Sequence, residues 1–249
     1  CWWYAAPRTG LISAAQANGV TLMVDWHNRW NPPVHEAWKA VRQGELGQVI
    51  YFSYRLNDTI YVPTKMLPWA GQSSVLHFLG SHAIDTICWL LDDVPVEVTC
   101  RRKEGVLTGM GIPTADMYLT ILEFAGGATA VVENCWVLPQ SAPALIDHRW
   151  EITGTEGVFY FDATHNRAVA KYTSRTPGGF PDSSYPDLFV TPEVHGRQLG
   201  FCVEPMYHFV ECIRDGKRTL TSGEDGLLNT RILAAAEESV RLGKTVTLR

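Results

Sequence analysis

The sequence predicts an α+β protein: a large, mostly antiparallel open sheet with helices on one face, preceded by a short α/β remnant. Three observations predict it. First, six β-like runs follow one another between residues 95 and 173 with no helical pattern between them. Antiparallel strands can be joined that way, whereas parallel strands need crossover helices. Second, helical periodicity dominates only before residue 91 and after residue 204, so helices and strands are segregated along the chain. Third, one helix-like run near the start feeds directly into an apolar run, as in the last repeat of a parallel α/β sheet. One such repeat cannot build a doubly wound sheet, hence the word remnant.

Residues 5–17 read as a helix closed by Asn18-Gly19, because glycine after an Ala-rich run is a common stop. Residues 20–24 read as a short buried strand. The opening Cys1-Trp2-Trp3-Tyr4 fits neither pattern, and a start at Cys1 rather than Met reads as a fragment or a processed chain. Asn31-Pro32-Pro33 breaks the chain before a helix over 34–42, which ends near Gly44 and Gly47. Residues 48–56 alternate and are β-rich, so they read as a strand. A loop over 58–73 carries Pro63, Pro68 and Trp69, and a strong helix follows over 74–91. The predicted strands are 95–103, 116–125, 128–137, 147–153, 157–161 and 167–173, with Gly126-Gly127 as a hairpin signal. A Pro- and Ser-rich loop spans 175–192 and contains Gly178-Gly179. Pro205 suits a first helical position, and Met206, Phe209, Val210 and Ile213 repeat at helical spacing up to Gly216. The last helix starts at Ser222, with Asp225 forming a variant capping box, and stops at Gly243 before a closing strand over 245–248. One face of the sheet should carry the helices. The other should be buried by a second copy, as a homodimer or homotetramer, because an exposed apolar sheet face is a liability.

Composition narrows the function. The chain has 249 residues, 46% hydrophobic and 19% charged, with a formal net charge of −5 and no basic tract. That argues against nucleic acid and anionic membrane as partners. There is no run of about 18 apolar residues and no basic-then-apolar leader, so neither a membrane span nor a signal peptide is expected. The six cysteines, at 1, 88, 100, 135, 202 and 212, form no C-x-x-C pair and match a reducing cytoplasm. His35-Glu36 and His148 lack a third ligand at useful spacing for a metal, and Ser73-Ser74 lacks the setting of a nucleophilic serine.

The most informative segment runs from Gly71 to Asp85. On a helix, His82 has Phe78 and Asp85 as neighbours at i−4 and i+3. Gly80 in a helix costs about 1 kcal/mol relative to Ala, which makes sense if something approaches the backbone closely. Residue types alone leave two readings open: a core histidine bonded to Asp85, or a ligand-facing histidine that Asp85 orients. Asn28 and Arg29 follow the 20–24 run, where α/β folds place ligands, or else form a surface turn. Trp69 reads as a stacking platform for a sugar ring or as loop packing. Trp136 reads as sheet-face packing, at a subunit contact if the face is shared.

Several segments together resemble the family of glucose-fructose oxidoreductase, inositol dehydrogenase and rhizopine-catabolism proteins (Gfo/Idh/MocA). These are Gly19 to Pro32, Gly44-Glu45-Leu46-Gly47-Gln48-Val49, Gly80-Ser81-His82-Ala83-Ile84-Asp85, Ile152-Thr153-Gly154-Thr155-Glu156-Gly157 and the 203–249 stretch. They occur in the family's order and cover about residue 13 to the end. The resemblance implies that residues 1–31 are the end of a dinucleotide-binding (Rossmann) domain and that 32–249 form the substrate-binding and oligomerisation domain. It implies hydride transfer between a sugar, cyclitol or related polyol and NAD or NADP, with His82 as the base, Asp85 assisting, and Asn28, Arg29 and Trp69 meeting substrate. A histidine suits proton abstraction because its ordinary pKa lies near working pH.

Two departures temper this. Many relatives carry an Asp one turn before the histidine, where this chain has Phe78, and a phenyl ring cannot accept the N–H that orients a base. The family's E-K-P motif and a G-x-G-x-x-G turn do not occur in the sequence, so the polypeptide alone is expected to bind NAD(H) weakly or not at all. A ligand-sensing or assembly member without catalysis, and a glycosidase that uses bound NAD, are the alternative implications.

Overall fold

A computed structural model describes residues 9–164, 169–173 and 193–248. The predicted 175–192 loop and the opening Cys1-Trp2-Trp3-Tyr4 stretch lie outside the described residues. The chain forms helices α1 (Thr9–Asn18) and α2 (Pro32–Arg42), then strand β1 (Val49–Asp58). Next come α3 (Ser81–Leu91), β2 (Pro95–Lys103), a four-residue helix α4 (Val106–Gly109), β3 (Met117–Phe124) and β4 (Thr129–Cys135). Strands β5 (Ile146–Gly154), β6 (Gly157–Asp162) and β7 (Val169–Thr173) follow, then a small hairpin of β8 (Glu193–Val194) and β9 (Arg197–Gln198). Helices α5 (Glu204–Asp215) and α6 (Gly223–Leu242) and strand β10 (Val246–Thr247) close the chain.

Eight strands form one open sheet in the order β10-β2-β3-β4-β1-β5-β6-β7. All pairs are antiparallel except the central β1–β4 pair, where Tyr51 lies opposite Thr129. Period-2 alternation sets the two faces. Phe52, Tyr54 and Leu56 of β1, Ala130 and Val132 of β4, Trp150 and Ile152 of β5, and Phe159 and Phe161 of β6 all point to one side and are buried. There they meet Ile84, Ile87 and Leu90 of α3 and Ile232, Leu233 and Ala236 of α6. Each such large apolar side chain contributes about 1.5–3 kcal/mol on burial. The opposite face carries Ser53, Arg55, Val131, Glu133, Arg149 and Tyr160. Arg55 there bridges Glu133 and Asp147, each at 3.2 Å.

The helix ends follow the local chemistry. Pro32 and Pro33 occupy the first turn of α2, two residues earlier than the sequence pattern indicates, because Pro is favoured where no N–H partner is needed. Ser222 and Asp225 form the capping box of α6, and Gly243 ends that helix at φ +69°. The predicted strand over 20–24 does not form. Val24 N–H donates to Thr221 O at 3.4 Å and Thr221 Oγ1 donates to Val24 O at 2.6 Å, so the segment lies along a loop. A strand needs a neighbouring strand, and the described residues place none beside it. The predicted 74–91 helix also divides: Leu76–Gly80 is a π-helical turn, and regular α geometry begins at Ser81.

Candidate functional site

His82 is placed in the first turn of α3, directly after the π-helical turn, a distortion often found at functional sites. Its imidazole is half-buried and lies 4.9 Å, centroid to centroid, from that of His27. His27 opens a 3₁₀ turn (His27–Trp30) three residues beyond Val24. The residue pattern does not single His27 out, since only the fold shows that this turn faces α3. Nδ1 of His82 is buried and has no hydrogen-bond partner. Burial, helped by His27, pushes the His82 pKa down to about 4, so the ring is neutral near pH 7. Burial also lowers His27, against the pull of Asp25.

Asp85 does not orient this imidazole. Arg29 Nε donates to Asp85 Oδ2 at 3.1 Å and Arg29 Nη2 to Oδ1 at 2.6 Å, a bidentate pair. Both side chains are nearly inaccessible, at 7% and 3% exposure. Arg29 also donates to Leu220 O at 3.0 Å and to Asp225 Oδ1 at 3.3 Å. Burial opposes the guanidinium charge, but Asp85 and Asp225 raise its pKa above the ordinary value. The i+3 spacing from His82 is real, yet a stronger donor 56 residues away has captured the carboxylate. Arg29 thus ties the 3₁₀ turn to α3 and α6. Asn28 is buried beside it at 4% exposure, so these two residues are not a surface turn. A cavity of about 210 Å³ opens beside the pair, lined among others by Arg29, Asp85, Trp89, Asp92 and Asp225. His82 is not among its lining residues.

The group that approaches Gly80 is part of the protein. A Cβ at Gly80 would stand 2.8 Å from Asn134 Oδ1 and 3.0 Å from Leu76 Cδ1. Asn134, fully buried on β4, donates through Nδ2 to Leu56 O at 3.0 Å, and its Oδ1 has no partner. Phe78 stands between two indoles, with Trp69 edge-on at 5.5 Å and Trp136 tilted at 5.9 Å. Trp69 keeps 40% exposure, so it packs on Phe78 and still presents part of its ring outward. Trp136 is fully buried beneath Phe78 on the helix-covered side, not at the open face. Its Nε1 donates to Asp58 Oδ2 at 3.0 Å. Burial pushes the Asp58 carboxyl up to about 7, against the lowering effect of that indole bond. Asp58 and Asn134 lie in strands whose pattern announces only burial, so no sequence signal marks them. Among the described residues, no group of three or more His, Cys, Asp or Glu side chains is placed to hold a metal ion.

A family model described as "Oxidoreductase family, C-terminal alpha/beta domain" (GFO_IDH_MocA_C) matches residues 38–248, and the chain belongs to that family. It is 25% identical over 252 residues to a D-apiose dehydrogenase of Paraburkholderia graminis, covering 98% of this chain and 64% of that protein. It is 26% identical over 237 residues to a scyllo-inositol 2-dehydrogenase (NAD(+)) of Bacillus subtilis, covering 92% of this chain and 63% of the relative. The chain thus spans somewhat less than two thirds of the length of these relatives. An oxidoreductase domain protein from Kribbella flavida superposes with a TM-score of 0.78 at 23% identity, covering 97% of this chain and 69% of that one. An Agrobacterium radiobacter oxidoreductase in complex with NAD+, L-tartaric acid and magnesium superposes at 0.77 with 19% identity, covering 96% and 68%. These two likenesses establish the fold.

Proposed function

We propose that this chain is the substrate-binding and oligomerisation part of an NAD(P)-dependent oxidoreductase that moves a hydride between a sugar, cyclitol or related polyol and the nicotinamide. The observation that carries the reading is the His82 imidazole, neutral, unpaired at Nδ1 and set against the turn that follows the 20–24 segment. In an α/β dinucleotide domain, the carboxyl ends of the strands are where the ligand sits. Residues 1–31 are the end of that domain in this reading, and 32–249 the substrate domain. The names of the relatives, an apiose and an inositol dehydrogenase, support a polyol substrate and a nicotinamide cofactor.

His82 has the neutral form that a base needs to take a hydroxyl proton. A bound nicotinamide would supply the hydride acceptor for the same carbon. Asn28 and the open part of Trp69 supply a polar and an aromatic contact for the substrate. Arg29 and Asp85 hold the turn against α3, which fixes the distance between the two imidazoles. The phosphate-binding turn is to be supplied by sequence upstream of residue 1. Leu119 and Tyr160, at 40% and 44% exposure on the open sheet face, support association of two or four copies through that face.

Phe78 favours a second reading. It packs between two tryptophans and offers His82 no acceptor, as in a ligand-sensing or assembly protein of this fold that has no turnover. One experiment separates the two. The chain is expressed with its upstream sequence and assayed against a polyol panel by absorbance of reduced nicotinamide. Turnover is expected with the parent and not with His82→Ala. Equal turnover in both overturns the role of His82, and ligand binding without any turnover selects the second reading.

A further inference from the structure

Two imidazoles meet where the N-terminal remnant touches the helical layer. Their planes are tilted by 40°, and the Phe201 ring lies 5.5 Å from that of His27. Three titratable groups face the pair from the surrounding elements. Asp85, on His82's own helix, is bound to Arg29. His148 of β5 shares a hydrogen bond of 2.8 Å with Tyr54 Oη and bears electrostatically on both imidazoles. Asp25 bears on His27 from the segment before the turn. Among the described residues, neither imidazole has a carboxylate hydrogen-bonded to it.

We propose that His27 is the positioning residue of His82: its imidazole, seated against the second ring, fixes that ring and resists the arrival of another positive charge there. The proposal rests on the dehydrogenase reading for the use made of His82. A base imidazole bonded to a carboxylate is stabilised in its charged form, whereas one facing a second imidazole is stabilised in its neutral form, because like charges at this separation oppose each other. The neutral form is the one that can take a proton. The pair protonates in sequence, and charge on one ring defers charge on the other.

The test is a proton–carbon NMR titration of the imidazole Cε1–H resonances in the 249-residue chain, for the parent, His27→Phe and His27→Gln. In the parent, the His82 resonance is expected to show a second inflection at the pH where His27 titrates. In both variants that inflection disappears and the His82 midpoint rises by about one pH unit. A single-step His82 curve in the parent overturns the proposal with no variant needed, and so does an unchanged midpoint in a folded variant. With the upstream sequence present, the acidic limb of kcat/KM moves to higher pH in His27→Phe. Coupled rings in a protein without turnover would retire the dehydrogenase reading and keep the pair. Turnover with uncoupled titration would do the reverse.

Discussion

Replacing Arg29 with Met separates a structural ion pair from a substrate contact. The change removes the Nε and Nη2 bonds at 3.1 and 2.6 Å, leaves the Asp85 side chain at 3% exposure, and deprives Leu220 O of its 3.0 Å donor. Removing one partner of a buried pair costs roughly 3–5 kcal/mol, because the other charge stays behind uncompensated. Against a total stability of about 5–15 kcal/mol that is a large fraction. Urea unfolding followed by far-ultraviolet circular dichroism should show the midpoint falling sharply at constant slope. The double variant Arg29→Met/Asp85→Leu should recover most of the loss, since apolar groups can replace both partners nearly neutrally. A single variant within about 1 kcal/mol of the parent, the level of an exposed pair, would refute the assignment. So would a double variant no more stable than the single one.

Gly80→Ala should destabilise by about 1–3 kcal/mol despite the better helix former, because its Cβ displaces an Asn134 amide that holds Leu56 O; a Tm above the parent's would show that the contact yields. Ser222→Ala, which removes the hydroxyl that accepts from Asp225 N–H, should cost about 1 kcal/mol by thermal unfolding. His82 and His148 are pushed down to about 4 and about 3, so the unfolded chain binds protons that the native one refuses. Their contribution to stability is complete above the ordinary histidine pKa and is lost as pH falls toward these values, so the urea midpoint should be lower at pH 5 than at pH 7. Asp58 works in the opposite sense, because its raised pKa makes the native state bind the extra proton. That contribution is present at low pH and lost as pH rises through about 7, so Asp58→Asn should gain on the parent as pH is raised over that range.

Most of the fold could be read from local pattern. Strands β2 to β6 each combine alternation with a turn signal, and Ser222, Gly216 and Gly243 mark helix ends through chemistry that acts within a few residues. The 20–24 run fails for a complementary reason. Its apolar pattern states that it can be a strand, but whether it becomes one depends on a neighbour that local pattern does not specify. The site divides the same way. Spacing brings His82 and Asp85 onto one helix face, whereas the partner that takes Asp85, Arg29, is 56 residues distant and no periodicity connects them. His27 lies one residue before the pair singled out at Asn28 and Arg29, and only the packing of the turn against α3 reveals it. Gly80 correctly announces a close approach but cannot say that the approaching group is Asn134.

The central placement of β1 has a consequence for how the chain acquires its shape. β1 hydrogen-bonds to β4 through Tyr51 opposite Thr129 and to β5 through Tyr54 opposite Trp150. Neither neighbour has been synthesised when β1 leaves the ribosome, so Phe52, Tyr54 and Leu56 wait through most of a hundred residues for lateral partners. The β2–β3–β4 meander can zip locally first, and only then does it offer the edge that β1 requires. Long-range pairing of this kind slows folding and leaves an apolar edge open in the interval. Misassembly during translation is therefore expected to begin at β1.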